Sequence, residues 1–146
     1  MKFMKEALEL ARKAKAIGEV PIGAVIVHKE EIIAKAYNTR EIDKNALMHA
    51  EIKAINTACR KFGGWRLHEC DLYVTLEPCP MCAGAIINAR IKRVIYGAKD
   101  AKAGAFGSVV NMNNYPLNHK PEIIGGVYEN EAKELLSEFF MELRRK

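Results

Sequence analysis

Between Leu72 and Gly97 the chain has little freedom in what it can form. Leu72-Tyr73-Val74-Thr75-Leu76 is a short strand of β-branched and aromatic residues. It runs directly into Pro78, which suits a helix start, and a small-residue-rich helix over Cys79–Ala89. Lys92-Arg93-Val94-Ile95-Tyr96-Gly97 then reads as a strand again. A strand, a helix and a strand in that succession close as a right-handed crossover, which sets the two strands parallel in one sheet.

The flanking segments extend this unit. Phe3, Ala7, Leu8, Leu10, Ala11, Ala14 and Ile17 recur at helical spacing, and Gly18 stops that opening helix. Val20 to Val27 and Glu31 to Tyr37 read as an antiparallel hairpin turned at Lys29-Glu30. A helix follows from about Ala50 to Arg60 and ends before Gly63-Gly64. The glycines and asparagines from Ala98 to Lys120 indicate a long irregular loop, a feature that in a compact domain often serves function. Glu122 to Val127 reads as a last short strand and Glu129 to about Leu143 as an amphipathic helix. The expectation is a three-layer α/β/α fold around a mixed five-stranded sheet. A chain of 146 residues buries one core well and two poorly, so residues 1–146 are expected to form a single domain.

Composition narrows the class. Hydrophobic residues at 49% and charged residues at 28% suit a soluble globular chain and exclude general disorder. No apolar run approaches the roughly 20 residues of a membrane span, and the start is amphipathic rather than signal-like, so a cytoplasmic location is expected. In a reducing compartment Cys59, Cys70, Cys79 and Cys82 point to metal or catalytic roles before disulfides, with Cys59 and Cys70 read as buried small hydrophobes. A net charge of +5 favours a polyanionic partner without establishing one.

His49-Ala50-Glu51 is followed, 30 residues after the histidine, by Cys79 in Pro78-Cys79-Pro80-Met81-Cys82. Two cysteines three apart on the first turn of a helix share a face and can clasp one ion, and His49 can bring a nitrogen from another helix. Three ligands leave a fourth tetrahedral position for water, whose pKa zinc lowers toward neutrality; Glu51 is then the proton carrier. Residues two apart on a helix point to different sides. His49 and Glu51 therefore converge only if the ion lies beyond the helix N-terminus, where a second N-terminus, that of the cysteine helix, favours thiolates. Two other readings stand beside this one. Cys79 and Cys82 suit a thioredoxin-like redox pair, in which the His-x-Glu would be idle. A structural zinc would need a fourth ligand among Cys59, Cys70, His28, His68 and His119, none at knuckle spacing.

The His-x-Glu and Pro-Cys-x-x-Cys pair resembles the signature of the zinc deaminases of the cytidine-deaminase superfamily. Further stretches are similar, in order and approximate spacing, to bacterial tRNA adenosine deaminases. They include Gly18 to Ala24, Asn38, Gly64-Trp65-Arg66-Leu67, Leu72 to Cys79, Gly97 to Asp100, Gly107-Ser108, Asn118-His119 and Phe139-Phe140. The resemblance implies one Zn²⁺ per chain on His49, Cys79 and Cys82, with Glu51 moving protons. It implies Asn38 and the backbone near Ala50 on a flipped adenine, and Asp100, His119 and Phe140 near the RNA. The implied reaction is hydrolytic conversion of adenosine to inosine at the wobble position of a tRNA anticodon stem-loop, by a homodimer. A free-base or nucleoside deaminase acting on guanine or cytosine, and a non-catalytic RNA-binding module with structural zinc, are the alternatives. At least one of Phe139 and Phe140 is expected in the core, and Arg144-Arg145-Lys146 reads as a phosphate contact or a frayed tail. The chain departs from the family at Asn45-Ala46-Leu47-Met48 before the histidine, where Met48 is expected to alter the pocket wall. It departs again at Val109-Val110-Asn111.

Overall fold

A computed structural model describes residues 1–145. Its elements are α1 (Lys2–Ala16), β1 (Gly23–His28), β2 (Glu31–Tyr37), α2 (Ala50–Phe62) and β3 (Cys70–Leu76), followed by α3 (Pro80–Asn88), β4 (Arg93–Ala98), β5 (Glu122–Ile124) and α4 (Glu129–Arg144). The strands form one sheet in the order β2-β1-β3-β4-β5. β1 pairs antiparallel with β2 and with β3, whereas β3 with β4 and β4 with β5 are parallel. The mixed five-stranded sheet and the parallel pair across α3 are as the sequence implies.

Strand alternation builds the three layers. Ala24, Ile26, Leu72, Val74 and Val94 face α2 and α3, meeting Ala50, Ala54, Ala58, Ala83 and Ile86. Val25, Val27, Tyr73 and Ile95 face the other way, onto Phe3, Met4 and Leu8 of α1 and Ala132 and Leu135 of α4. The alanines of α2 let that helix lie close to the sheet. At Gly23 a Cβ would stand 2.0 Å from the Ala7 carbonyl oxygen, so only glycine lets α1 cross the start of β1.

Several boundaries move, each for a local reason. β1 begins at Gly23, not Val20, because Pro21 has no N–H to give a ladder and the Ile22 amide turns back to the Val20 carbonyl at 2.8 Å. α3 begins at Pro80 with Cys79 as its N-cap; Pro80, not Pro78, takes the first-turn position open to proline. α2 runs on to Phe62 and ends where Gly63 adopts a left-handed φ of 71°. β5 stops at Ile124 because Gly125 packs against the Tyr96 ring, where a Cβ would meet Cζ at 2.4 Å, and Gly126 turns the chain. The 98–120 segment is irregular as expected, with a short 3₁₀ turn at Met112–Asn114 and a bridge between Phe106 and Asn111. Among the described residues no helix is long and apolar enough to cross a membrane.

Candidate active site

The ends of two helices make the site. His49 is the N-cap of α2 with extended backbone (φ −76°, ψ 152°), which leaves its ring beyond the helix end while Glu51 sits in the first turn. Cys79 occupies the same place on α3 (φ −76°, ψ 173°), and Cys82 lies one turn in. This is the convergence at two N-termini that the His-x-Glu spacing demands.

His49 Nδ1 lies 3.7 Å from Cys79 Sγ and 3.5 Å from Cys82 Sγ. A tetrahedral zinc with ordinary Zn–S and Zn–N bonds needs nitrogen–sulfur separations of about 3.6 Å, so these three atoms already stand where such an ion would hold them. They are the His/Cys/Cys group suited to a metal, all within 4.8 Å of one another. No fourth histidine or cysteine among the described residues joins them. Cys70 is buried in the core, Cys59 sits near the Trp65 carbonyl, and all four cysteines are free thiols. His28 turns to Glu69 and His68 is exposed. Three ligands and an open position are the pattern of a catalytic centre and unlike a structural one.

Electrostatics follow from crowding. A hydrogen bond from Cys82 and, against the effect of burial, another from His49 pull the Cys79 thiol down to about 4. The Cys82 thiol is pushed up as the donor of that bond and by burial. The hydrogen bond to Cys79 raises His49 despite partial burial. Glu51 is 4% exposed. Burial pushes its carboxyl up to about 7, against the pull of its own backbone amide and of His49. A carboxyl with that value gives and takes a proton near neutrality.

These residues open into a cavity of about 530 Å³. Val20, Ile22, Leu76, Leu136 and Phe140 give it apolar walls, Asn38 joins Glu51 inside, and exposed Arg40, Lys99 and Lys102 stand at its rim. Asn38 is 4% exposed, and among the described residues its carboxamide has no hydrogen-bond partner, whereas its backbone amide donates to the Ile22 carbonyl at 3.1 Å. Phe139 packs in the core while Phe140 faces the cavity, the division expected of that pair. Asp100 lines the cavity, but its Oδ1 accepts from the amides of Lys102 and Ala103 at 3.0 and 3.1 Å, so it shapes the turn as well. Ala50 is fully buried between His49 and Glu51.

Three expectations do not meet the cavity within this chain, the first being Ala50, which is buried and absent from its lining. His119 donates from Nε2 to the Ile91 carbonyl at 2.6 Å, just before β4, at the end of the sheet away from Cys79. Met48 is half-buried, tied to Thr39 through its carbonyl at 3.0 Å, and its side chain is not part of the cavity wall. Arg144 ends α4 outside the cavity, and Lys146 lies outside the described residues. The reading of the sequence missed Glu19 and Glu77. Both are buried: Glu19 accepts from the amides of Glu41 and Ile42 at 3.1 and 2.6 Å, and Glu77 holds the loop after β4. The signal available was a carboxylate set among apolar residues, with Val20-Pro21-Ile22 after Glu19 and with Leu76 and Pro78 on either side of Glu77.

A profile of the MafB19-like deaminases matches residues 1–144, which sets the class as a nucleobase-deaminase fold. Within that class the chain is 50% identical to the tRNA-specific adenosine deaminase of Bacillus subtilis, over 99% of its own length and 90% of that protein's. A solved tRNA:A34 deaminase superposes with a TM-score of 0.90 at 46% identity, covering 92% of this chain and 99% of that one. A Bacillus subtilis guanine deaminase is more distant, with a TM-score of 0.65 and 34% identity over 80% of this chain and 85% of its own. The chain belongs to the tRNA-specific adenosine deaminase family.

Proposed function

We propose that this protein converts adenosine to inosine at the wobble position of a tRNA anticodon, as one zinc-binding deaminase domain over residues 1–146. The observation that carries this reading is the buried Glu51, near neutral in pKa, beside an open His49, Cys79 and Cys82 cluster at the floor of a cavity rimmed by lysine and arginine. His49, Cys79 and Cys82 would hold the zinc, whose chemistry there would be to make water more acidic.

The chain's own residues supply the rest. Asn38, with its carboxamide uncommitted, holds the edge of the flipped base. Glu51 takes one proton of the attacking water and delivers it to adenine N1 as the oxygen bonds to C6. It then carries the proton of the new C6 hydroxyl to the amino group, the C6–N6 bond breaks, and ammonia leaves as the C6 carbonyl forms. The apolar walls exclude bulk water, and Phe140 offers a face to the substrate. Arg40, Lys99 and Lys102 meet phosphates of the anticodon loop, whose wobble base is already unpaired and costs only about a few kcal/mol to turn out. Asp100 supports that contact through the turn it caps. His119 touches RNA only if a second copy brings it there, which accords with a homodimer. A substrate of this kind places the enzyme in the cytoplasm.

The likeness to a guanine deaminase favours a free base as the second reading. Incubation of the zinc-loaded protein with a synthetic anticodon stem-loop, followed by digestion to nucleosides, tests the first. Inosine replacing the wobble adenosine is expected; an unchanged adenosine would overturn it.

A further inference from the structure

Glu77 is 1% exposed and makes no ion pair among the described residues, although it lies two positions before Cys79. Its charge is met by hydrogen-bond donors from one segment alone. Oε1 accepts from the Asp100 amide at 3.1 Å and from the Ser108 hydroxyl. Oε2 accepts from the amides of Phe106 and Ser108 at 3.0 and 3.1 Å. A buried carboxylate is tolerated only when its lone pairs are bonded in this way, so loop and carboxylate stabilise each other.

The loop is shaped to close on that group. At Gly104 a Cβ would stand 2.4 Å from Glu77 Cδ and 2.5 Å from each carboxylate oxygen, so the need for glycine there is one of space. The Gly104 amide returns to the Asp100 carbonyl at 2.9 Å and the Ala105 amide to the Pro78 carbonyl at 2.9 Å. Its outer side, Asp100 to Ala103, is one wall of the cavity. Side chains that would meet RNA are thus hung on a backbone with Glu77 at its centre.

We infer that Glu77 is a positioning residue for the nucleic-acid substrate, fixing the 100–108 loop in its receiving shape, with Gly104 as the complementary part. The inference deepens the reading of the site as a tRNA deaminase and rests on it. Glu77 borders the cavity, but both of its carboxylate oxygens are taken up by loop donors, so its loss is expected to fall on binding of the larger substrate and to spare the chemical step. Replacing one oxygen by NH₂ in Glu77→Gln sets a donor against a loop donor, which leaves at least one amide unbonded.

The test uses the zinc-loaded full chain. In Glu77→Gln, amide hydrogen exchange at Asp100, Phe106 and Ser108 is expected to quicken about tenfold or more, with zinc content unchanged. KM for the stem-loop should rise about tenfold while kcat stays within about threefold. Ser108→Ala removes one hydroxyl at an exposed position and leaves the fold intact; its KM should rise about two- to threefold. A KM unchanged in both variants, or a fall in kcat at constant KM, would overturn the inference. Should Glu77→Gln fail to fold or to hold zinc, Ser108→Ala decides alone. If the wild type leaves the stem-loop untouched, the substrate reading fails. Hydrogen exchange then still decides whether Glu77 orders the loop, and unchanged exchange rates sink that part too.

Discussion

Glu51 and Glu77 are both buried carboxylates close to the His49, Cys79 and Cys82 cluster, and their company gives them opposite characters. Glu51 has few donors, and burial lifts its pKa to about 7. Burial also raises Glu77, but bonds from Ser108, Asp100 and Phe106 outweigh it and hold that carboxyl below the usual range. The first can carry a proton near pH 7; the second stays ionised. Glu51→Gln, which still hydrogen-bonds but cannot shuttle a proton, should lower kcat by about 10² to 10⁴ while zinc and stem-loop binding persist. A kcat within about threefold of wild type would remove Glu51 from the mechanism. The His49, Cys79 and Cys82 cluster was legible because each of its two motifs is compact and opens a helix, and the pair together resembles a known signature even though 30 residues separate His49 from Cys79. Glu77 was not, since its donors come from 23 to 31 residues downstream. Cys70 makes a further check on ligand assignment, because burial, followed by Asp71 and Glu69, pushes its thiol up to about 11. Iodoacetamide at pH 8 should spare Cys70 in the folded protein and alkylate it after unfolding; rapid native labelling would contradict its place in the core.

At the level of elements, apolar pattern, proline and glycine placement located the four α-helices and five strands of the described residues, and what they misjudged were the ends. β1 reads on paper from Val20, yet Pro21 cannot donate to a ladder, and Val20 and Ile22 line the cavity. A pattern of alternating apolar residues cannot distinguish facing a core from facing a pocket. The β1–β2 hairpin turns through Lys29 and Glu30 at φ of 49° and 66°, left-handed values that cost a residue with a Cβ about 1 kcal/mol. Asn-Gly favours that two-residue turn. The double change Lys29→Asn with Glu30→Gly should raise stability by about 0.5–1 kcal/mol, seen as a higher urea midpoint at constant slope. A lower midpoint would show that the strained turn is supported by contacts of those two side chains.

Over the whole molecule, the excess of positive charge takes on meaning only once the fold gathers Arg40, Lys99 and Lys102 at one rim. Lys99 and Lys102 are neighbours in sequence, but Arg40 stands far upstream of them and all three dissolve into the +5 total, so no reading of the sequence by windows would bring Arg40 to the other two. The same holds for the cavity wall, built from six separate segments. Because the rim is exposed, the proposed contacts with phosphates would trade against salt. Stem-loop KM should rise steeply between about 50 and 200 mM salt while that for any free base stays level, and equal dependence for both would argue against phosphate contacts at the rim.

Substrate preference is the central claim, and a competition decides it most directly. The zinc-loaded protein is offered an anticodon stem-loop with adenosine at the wobble position, free adenosine, guanine and cytosine at equal concentration. Ammonia release and nucleoside analysis then give each kcat/KM. On the proposed reading only the stem-loop engages Asn38, the rim and the 100–108 loop together, and remote contacts of that kind raise kcat/KM when they hold the reacting base in place. The expected result is inosine in the RNA at a kcat/KM at least about a hundredfold above that for any free compound. Preference for guanine or cytosine, with the stem-loop inert, would contradict it.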